Sequence, residues 1–297
     1  MVEERAPASV SPPLVEERAR ASVSKPGWTP KLVALDIDGT LLAWIQDEGT
    51  TYEKISPPVY DAVQRARAAG AHVVLSSGRS PFGMAPIADL LDLTEPGDEP
   101  VWAVASNGAV VFRYPPVTVL HEETFDARDA VRAVLAEHPE ALVAVEERGV
   151  GYRLNRPFPM GELSGEMIVT DVEEMIADPV SRVIIRDPEA TAEDFVALAA
   201  KLGLHGTNYV VGWTAWLDLS PQGVDKSSGL DHVCAELGLT AADVLAIGDG
   251  RNDIEMLRWA GRGVAMGQAV EEVRGAADGV TGTVFDDGVA LELGKYF

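Results

Sequence analysis

Two stretches of this chain alternate short apolar strands with amphipathic helices, and this alternation limits the possible folds more than any other feature. The first stretch covers about residues 30–119 and the second about residues 216–297. Strands separated by helices usually form a parallel sheet, so the pattern predicts an α/β fold with a Rossmann-like parallel-sheet core. The predicted strands include Leu32–Leu35, His72–Ser76, Val101–Ala105 and Val244–Ile247.

The middle of the chain, residues 120–215, has a different pattern. Helical periodicity is interspersed with strand-like segments, which predicts a separate α+β domain inserted into the α/β core. Thr191 and Asp194 have the spacing of a helix capping box, with Asp in place of the usual Glu. The predicted segments are helices over Ala127–His138 and Thr191–Leu202 and strands over Leu142–Glu146, Val183–Arg186 and Tyr209–Trp213.

The first 29 residues contain a local duplication, because Val2–Ser11 recurs as Val15–Ser24 with one difference. This segment has no aromatic residue before Trp28 and no sustained apolar period. Such a segment buries too little apolar surface to offset the entropy of ordering it. We therefore predict that residues 1–29 form a disordered tail, with a docking peptide as the alternative.

Two acidic turns follow the first and the last of the predicted strands named above, and together they predict a metal site. Asp36 and Asp38 follow the first strand, and Asp249 and Asp253 follow the last. The carboxyl ends of strands in an open α/β sheet form the edge where ligands bind. Facing carboxylates repel each other unless a cation or a proton separates them, and oxygen ligands favour Mg²⁺.

A single acidic turn would have more ordinary explanations. Aspartates in Asp-Gly turns often bond only to their own backbone. A calcium-binding loop that started at Asp36 would need glycine at its sixth position, where this chain has Leu41. Two acidic turns in one sheet therefore favour a shared cation.

Two further positions could hold an anion close to that cation. Ser77 and Gly78 follow the predicted strand His72–Ser76, where a hydroxyl and free backbone N–H groups can bind phosphate. Lys226 opens the helix predicted over residues 226–237 and supplies a compact positive charge. Taken singly, an ordinary loop hydroxyl and a solvated amine are the commoner interpretations of Ser77 and Lys226.

In their order along the chain, these motifs resemble those of the haloacid dehalogenase superfamily. Within it they are similar to the Cof-like phosphatases, whose cap domain is inserted between the second and third motifs. The resemblance covers the chain from about residue 31 to its end. The motifs are Asp36-Ile37-Asp38-Gly39-Thr40, Ser77-Gly78-Arg79 (more often Thr-Gly-Arg), Lys226 and Gly248-Asp249-Gly250-Arg251-Asn252-Asp253, and the segments Asn107–Ala109, Ala265–Gly267 and Asp287–Ala290 also look like this subgroup.

The resemblance implies a Mg²⁺-dependent phosphatase in which Asp36 is the nucleophile and forms an aspartyl-phosphate. Asp38 would protonate the leaving alkoxide and then take a proton from water. The metal would be held by Asp36, Asp249 and the backbone carbonyl of Asp38, with Asp253 acting through water. The phosphate would be bound by Ile37, Ser77, Gly78, Lys226 and Asn252.

Two other functions stay open on these residues. A phosphomutase would return the phosphoryl group to a sugar, and the motifs do not separate it from a phosphatase. A non-catalytic phosphate-binding regulatory module is a weaker alternative, because both aspartates of the first motif, the lysine and the acidic cluster are present. A dehalogenase is disfavoured, because a halide leaving group needs no proton from Asp38.

The inserted domain is expected to choose the substrate, a small phosphorylated metabolite such as a sugar phosphate. A solvated arginine is the commoner interpretation of any single candidate there. The candidates for contacting the substrate are Arg148, Tyr152, Arg153, Arg156, Arg182 and Arg186.

Composition restricts the partners of the chain. Lys and Arg number 24 against 47 Asp and Glu, which gives a net charge of −23 and disfavours nucleic acid and anionic membranes. A single cysteine, Cys234, excludes an internal disulfide. With no apolar run of about 18 residues and no signal-peptide core, we expect a cytoplasmic protein. We also expect it to be a monomer or a homodimer.

Overall fold

The computed structural model describes residues 27–43, 53–94, 99–147, 150–187, 190–191, 193–194, 197–198, 207–211 and 216–297. The predictions for the tail up to residue 26, for Arg148 and for most of the helix over Thr191–Leu202 lie outside the described residues. The capping box of that helix is confirmed, because the backbone N–H of Asp194 donates to Thr191 Oγ1 at 3.2 Å and the backbone N–H of Thr191 donates to Asp194 Oδ2 at 2.8 Å.

Where the structure describes them, the predicted strands and helices form close to their expected bounds, and residues 212 and 213 of the strand predicted over Tyr209–Trp213 lie outside the described residues. The strands are β1 (Leu32–Leu35), β2 (His72–Ser76), β3 (Val101–Ala105), β4 (Val110–Tyr114), β5 (Thr118–Glu122), β6 (Leu142–Glu147), β7 (Gly151–Leu154), β8 (Glu166–Val169), β9 (Val183–Arg186), β10 (Thr207–Val211), β11 (Trp216–Pro221), β12 (Val244–Gly248), β13 (Arg262–Ala265) and β14 (Gly279–Val280). The helices with described bounds are α1 (Pro57–Ala68), α2 (Pro81–Leu90), α3 (Arg128–Glu137), α4 (Val172–Met175), α5 (Lys226–Leu237), α6 (Ile254–Trp259), α7 (Glu271–Ala276) and α8 (Gly288–Leu293).

Local capping explains why α1 begins and ends where it does. The hydroxyl of Ser56 accepts a hydrogen bond from the backbone N–H of Val59 at 3.4 Å, and Pro57 occupies the first turn, where its missing N–H costs nothing. Gly70 follows the helix with a φ of +88°, a conformation that glycine adopts easily. The helix packs Val59 and Val63 into the core beneath the sheet.

The larger sheet has the strand order β14-β13-β12-β1-β2-β3-β4-β5 among the described residues. The strands from β14 to β3 are parallel, as the alternating pattern predicted. β4 and β5 extend the sheet in antiparallel fashion. The reason is local, because the three-residue 3₁₀ turn Ser106–Gly108 joins β3 to β4 and is far too short for a parallel crossover.

The smaller sheet has the strand order β10-β11-β9-β6-β7-β8 in the described chain. One of its faces packs against α3 through an apolar cluster that includes Val131, Val143 and Ile185. The opposite face carries a second cluster around Tyr152 and Ile184. That face is turned toward the larger sheet, because it carries Glu146, which contacts Ser106 of the larger domain.

Glu146 of β6 accepts a hydrogen bond from the hydroxyl of Ser106 at 2.7 Å. Ser106 belongs to the turn after β3, at the same edge of the larger sheet as the predicted site. The smaller sheet therefore lies over that edge as a cap.

Two strands lie at the predicted domain limits. β5 spans the limit between residues 119 and 120 and pairs with β4 in the larger sheet. β11, which begins at the limit between residues 215 and 216, pairs with β9 in the smaller sheet. A strand cannot be divided from the sheet that holds its hydrogen bonds, so we propose that the inserted domain extends from about residue 124 to 221.

No helix among the described residues combines the length and the apolar character that crossing a bilayer requires.

Candidate active site

The four motifs come together at the carboxyl edge of the larger sheet. β1 pairs in parallel with β12 on one side and with β2 on the other, so the residues that follow these strands become neighbours. Asp36 follows β1, Ser77 follows β2 and Asp249 follows β12. Lys226 is the first residue of α5, which packs beside the turn after β3.

Asp36 and Asp253 are joined by the ammonium group of Lys226. Its Nζ donates to Asp36 Oδ1 at 2.7 Å and to Asp253 Oδ1 at 2.6 Å. Lys226 and Asp253 are fully buried, and Asp36 is 4% exposed. Burial disfavours the charged ammonium, but Asp253 and Asp36 outweigh this and raise the pKa of Lys226, so that it stays a cation.

The other oxygen of Asp253 organises the turn after β12. Its Oδ2 accepts from the backbone N–H of Asp249 at 3.0 Å and of Gly250 at 2.8 Å. A side chain at Gly248 would not fit, because its Cβ would lie 2.4 Å from Asp253 Cγ. Both carboxylate oxygens of Asp253 are therefore engaged with the protein, and this turn holds Asp249 at the site.

The carboxylates of Asp36 and Asp249 are energetically unfavourable in this site. Burial, followed by repulsion from Asp253, raises the pKa of Asp36 to about 7, against the opposing effect of Lys226. Burial and repulsion from Asp36 raise the pKa of Asp249 to about 8. Three carboxylates face one ammonium, so the site has the excess negative charge that a divalent cation would neutralise.

The donor set fits Mg²⁺. Carboxylate oxygens of Asp36, Asp249 and Asp253 lie within 4.8 Å of one another. Hard divalent cations prefer oxygen ligands, and Mg²⁺ is usually held by one or two carboxylates together with substrate phosphate. Asp253 already binds Lys226 and two backbone N–H groups, which leaves Asp36 and Asp249 as the available pair.

Gly39 allows the two acidic turns to approach each other. It has a φ of +88°, and a Cβ there would lie 2.1 Å from Asp249 Oδ2. Gln268 joins the same two turns, because its Nε2 donates to the carbonyl of Gly39 at 2.5 Å and to Asp249 Oδ2 at 3.3 Å. Sequence reasoning missed Gln268; the one available signal was that it directly follows the segment Ala265–Gly267.

Asp38 belongs to the same turn as Asp36 and is paired with Arg79. The guanidinium donates through Nη2 to Asp38 Oδ1 at 2.6 Å and through Nε to Oδ2 at 2.9 Å. The two side chains remain about one-fifth exposed. This fork-shaped pairing holds the carboxylate of Asp38 in one orientation. Arg79 lies in the predicted motif Ser77-Gly78-Arg79, but no pattern in the sequence predicts its contact with Asp38.

Ser77, Gly78 and Asn252 line one side of the site. The hydroxyl of Ser77 accepts from the backbone N–H of Arg79 at 3.2 Å, and its proton can still be donated to an anion. Asn252 Nδ2 donates to Asn107 Oδ1 at 3.0 Å. A Cβ on Gly78 would lie 3.0 Å from that same oxygen, so any side chain there would require Asn107 to shift by a few tenths of an ångström.

The described arginines of the cap are each paired with a carboxylate. Arg182 is buried and makes two hydrogen bonds to Asp218, at 2.6 and 2.8 Å, and a third to the hydroxyl of Tyr152 at 3.2 Å. The remaining pairs are Arg128 with Asp126, Arg132 with Glu173, Arg153 with Glu147, Arg156 with Glu140 and Arg186 with Glu162. These partners account for the charge of each arginine without a substrate, and a role in substrate binding stays a prediction.

Known proteins resemble the chain over most of its length. A phosphoglycolate phosphatase of Natronomonas pharaonis is 31% identical over 267 residues, which cover 89% of this chain and 96% of the relative. The 5-amino-6-(5-phospho-D-ribitylamino)uracil phosphatase YitU of Bacillus subtilis is 28% identical and covers 90% of this chain and 98% of its own length.

The fold is also known from solved structures. The crystal structure of a haloacid dehalogenase-like hydrolase from Bacteroides thetaiotaomicron superposes with a TM-score of 0.73 at 28% identity, over 90% of this chain and all of that one. The sequence model of the haloacid dehalogenase-like hydrolases matches residues 33–293. These matches confirm the resemblance and the capped α/β fold that the motifs predicted, and the chain belongs to the haloacid dehalogenase-like hydrolase family.

Proposed function

We propose that this chain is a Mg²⁺-dependent phosphatase that hydrolyses a small phosphorylated metabolite through an aspartyl-phosphate on Asp36. One observation carries the proposal: the buried carboxylate of Asp36 sits at the end of β1, bonded to Lys226, with Asp249 close enough to share a cation. Membership of the family and the phosphatase names of the relatives support phosphoric monoester hydrolysis as the reaction.

In the proposed first step, a carboxylate oxygen of Asp36 attacks the phosphorus atom and the bond to the substrate oxygen breaks. Asp38 gives a proton to that oxygen, and Arg79 holds the Asp38 carboxyl group in place. The phosphate oxygens are bound by Lys226, Asn252, the hydroxyl of Ser77 and the backbone N–H groups of Ile37 and Gly78. This arrangement distributes the charge that develops on the phosphoryl group.

In the second step, Asp38 takes a proton from water, which attacks the aspartyl-phosphate and restores Asp36 with release of phosphate. Asp36, Asp249 and the carbonyl of Asp38 would hold Mg²⁺, and Asp253 would act through water. The bound Mg²⁺ would supply positive charge to the phosphoryl oxygens in both steps. Closure of the cap would keep bulk water from the site during the first step.

The substrate class follows from charge as well as from the family. A chain with a net charge of −23 repels polyanions, so nucleic acid and anionic membranes are poor partners. The two relatives are named for chemically unlike phosphate esters, so neither name identifies the substrate of this chain. We propose a sugar phosphate or a metabolite of similar size, and a monomeric or homodimeric enzyme.

The experiment is a screen of sugar phosphates, nucleotides and cofactor phosphates, with phosphate release measured with Mg²⁺ and with excess chelator. We expect turnover that chelation abolishes and Mg²⁺ restores. Asp36→Asn should lose at least roughly 10⁴-fold in kcat, because an amide is a poor nucleophile and a weak metal ligand. Circular dichroism and melting temperature would show that the variant is folded.

Three other outcomes would contradict the proposed function. Activity of Asp36→Asn within about tenfold of the parent would exclude Asp36 as the obligatory nucleophile. Conversion of one sugar phosphate isomer into another without phosphate release would identify a phosphomutase. Mg²⁺ binding without turnover of any ester would favour the phosphate-binding module.

A further inference from the structure

Three potential metal ligands meet where the chain leaves the larger sheet for the cap. His121 lies on β5, Glu123 follows that strand directly, and His232 lies on α5. One ligand atom from each lies within 4.8 Å of the other two. This group is built from different residues than the carboxylate cluster at Asp36, and the proposed reaction uses none of it.

The rings of His121 and His232 pack closely against each other, and one of the ring nitrogens of His121 has no hydrogen-bond partner. Their centroids are 3.8 Å apart with a tilt of 32° between the planes. Nε2 of His121 is buried and has no hydrogen-bond partner. It lies 3.1 Å from Glu123 Oε1, but the contact does not have the geometry of a hydrogen bond. A buried ring nitrogen left in this way is costly, and a cation shared with Glu123 and His232 would satisfy it.

Two imidazoles and one carboxylate form a donor set for a borderline transition metal. Zinc takes histidine nitrogen and carboxylate oxygen readily and is often held by three protein ligands and a water, whereas Mg²⁺ prefers oxygen alone. We propose that His121, Glu123 and His232 form a Zn²⁺ site, separate from the Mg²⁺ centre at Asp36.

The side chains can reach the required geometry. At zinc–ligand distances of about 2.0 to 2.1 Å, tetrahedral ligand atoms lie roughly 3.3 Å apart. His121 Nε2 and Glu123 Oε1 are already 3.1 Å apart, and the other separations need to shorten by at most about 1.5 Å. Glu123 and His232 are exposed, so their side chains have room to turn toward His121, whose backbone is held in β5.

The position of the site predicts that bound zinc would connect two parts of the chain. The backbone N–H of Glu123 donates to the carbonyl of Ala109 at 2.8 Å, and two residues later Phe125 pairs with Val180 of the cap. His232 lies on the helix that begins with Lys226, directly after the chain returns from the cap. Bound zinc would therefore tie the outgoing linker to the helix that carries the lysine of the active site.

The test is a titration of the full-length, metal-stripped protein with Zn²⁺ in millimolar Mg²⁺, followed by calorimetry. We expect one tight zinc equivalent per chain, and a melting temperature at least about 5 °C higher once zinc exceeds its Kd by roughly 100-fold. His121→Gln, Glu123→Gln and His232→Gln should each weaken binding by at least about 100-fold, because each removes a ligand. Tetrahedral absorption bands of bound Co²⁺ should disappear in the same variants.

His72→Gln is the matched control, because His72 is an exposed histidine on β2 and belongs to neither cluster. It should bind zinc like the parent. His232→Gln alters only an exposed position on α5, so this variant should fold normally even if His121→Gln does not. Absence of tight zinc binding by the parent would overturn the proposal. Equal affinity in the parent and His232→Gln, or loss of zinc only on Asp249→Asn, would do so as well.

Discussion

Gly39 shows how one residue controls the distance between the two acidic turns. Its φ is +88°, and any Cβ would collide with the carboxylate of Asp249 at 2.1 Å. Gly70 has the same φ of +88°, but no atom lies within 4 Å of the position of its Cβ. A side chain at Gly39 would therefore cause both backbone strain and a steric clash, whereas a side chain at Gly70 would cause backbone strain alone.

We predict that Gly39→Ala raises the Mg²⁺ concentration for half-maximal activity by at least about tenfold, because Asp249 must move away from Asp36. Gly70→Ala should cost only the strain of a left-handed alanine, about 1 to 2 kcal/mol, and leave the Mg²⁺ dependence unchanged. The measurement is a Mg²⁺ titration of phosphatase activity together with the melting temperature. Equal Mg²⁺ dependence in both variants would mean that the approach of these two turns does not matter for the metal.

The role of Asp38 can be separated from that of Asp36 by the leaving group. Asp38→Asn should slow alkyl phosphates by about 10²- to 10⁴-fold and aryl phosphates far less, because only an alkoxide needs the proton. The measurement is kcat on a matched pair of alkyl and aryl esters. Equal losses on both would show that Asp38 only positions groups and is not the acid.

At the scale of elements, a buried carboxyl group joins the two sheets. Glu146 of β6 accepts from Ser106 of the turn after β3, and its Oε1 is buried without a partner. Burial raises the pKa of Glu146 to about 7, although Arg182 and Ser106 act in the opposite direction. The cap therefore rests on the core through a group that titrates near neutral pH.

This predicts a pH-dependent stability. A folded-state pKa above the ordinary 4.5 means that the folded protein holds this proton more tightly than the unfolded chain does. The stabilisation is complete below about pH 4.5 and is lost as pH rises through about 7. It amounts to at most about 3.5 kcal/mol, at about 1.4 kcal/mol per pKa unit.

Glu146→Gln removes this titration. Relative to the variant, the parent should become less stable as pH rises from about 5 to 8, as measured by denaturant unfolding at several pH values. Glu147→Gln is the control, since Glu147 is the next residue on β6, is more exposed and pairs with Arg153. Stability curves of the parent and Glu146→Gln that stay parallel across this range would contradict the prediction.

At the scale of the whole molecule, the cap turns one sheet face toward the carboxyl edge of the other sheet. Tyr152 and Arg182 lie on that face and are bonded to each other. Each enclosed cationic group near the site has its own carboxylate partner, Lys226 with Asp36 and Arg182 with Asp218. These pairs cancel charge without leaving a surplus cation, so a divalent cation held by Asp36 and Asp249 would supply the positive charge for an incoming phosphate ester.

We predict that Tyr152→Phe changes the ranking of natural phosphate esters by at least about tenfold in kcat/KM while a generic aryl phosphate changes by less than about threefold. The reason is that this hydroxyl belongs to the cap, whereas the bond-breaking groups belong to the core. Tyr114→Phe is the control, because its hydroxyl binds Asp89 on the exposed side of the core. An unchanged ranking in Tyr152→Phe would place specificity in the core.

Local sequence determined the elements and the edge where the site forms. The predicted bounds of His72–Ser76, Val101–Ala105, Val183–Arg186 and Lys226–Leu237 agree with the structure. Apolar periodicity and caps such as Ser56 act over a few residues, so they can be read without the fold. Because strand ends of a parallel sheet meet, the positions of Asp36, Ser77 and Asp249 near one another followed as well.

Only the tertiary structure decided which distant side chains meet. Arg79 and Asp38 are 41 residues apart, Ser106 and Glu146 are 40 apart, and Gln268 and Gly39 are 229 apart. The stacking of His121 on His232 depends on how α5 packs against β3 and β4 after the chain returns from the cap. Such contacts depend on the order of the strands in the sheets and on the position of the cap on the core, and no short-range pattern in the sequence encodes them.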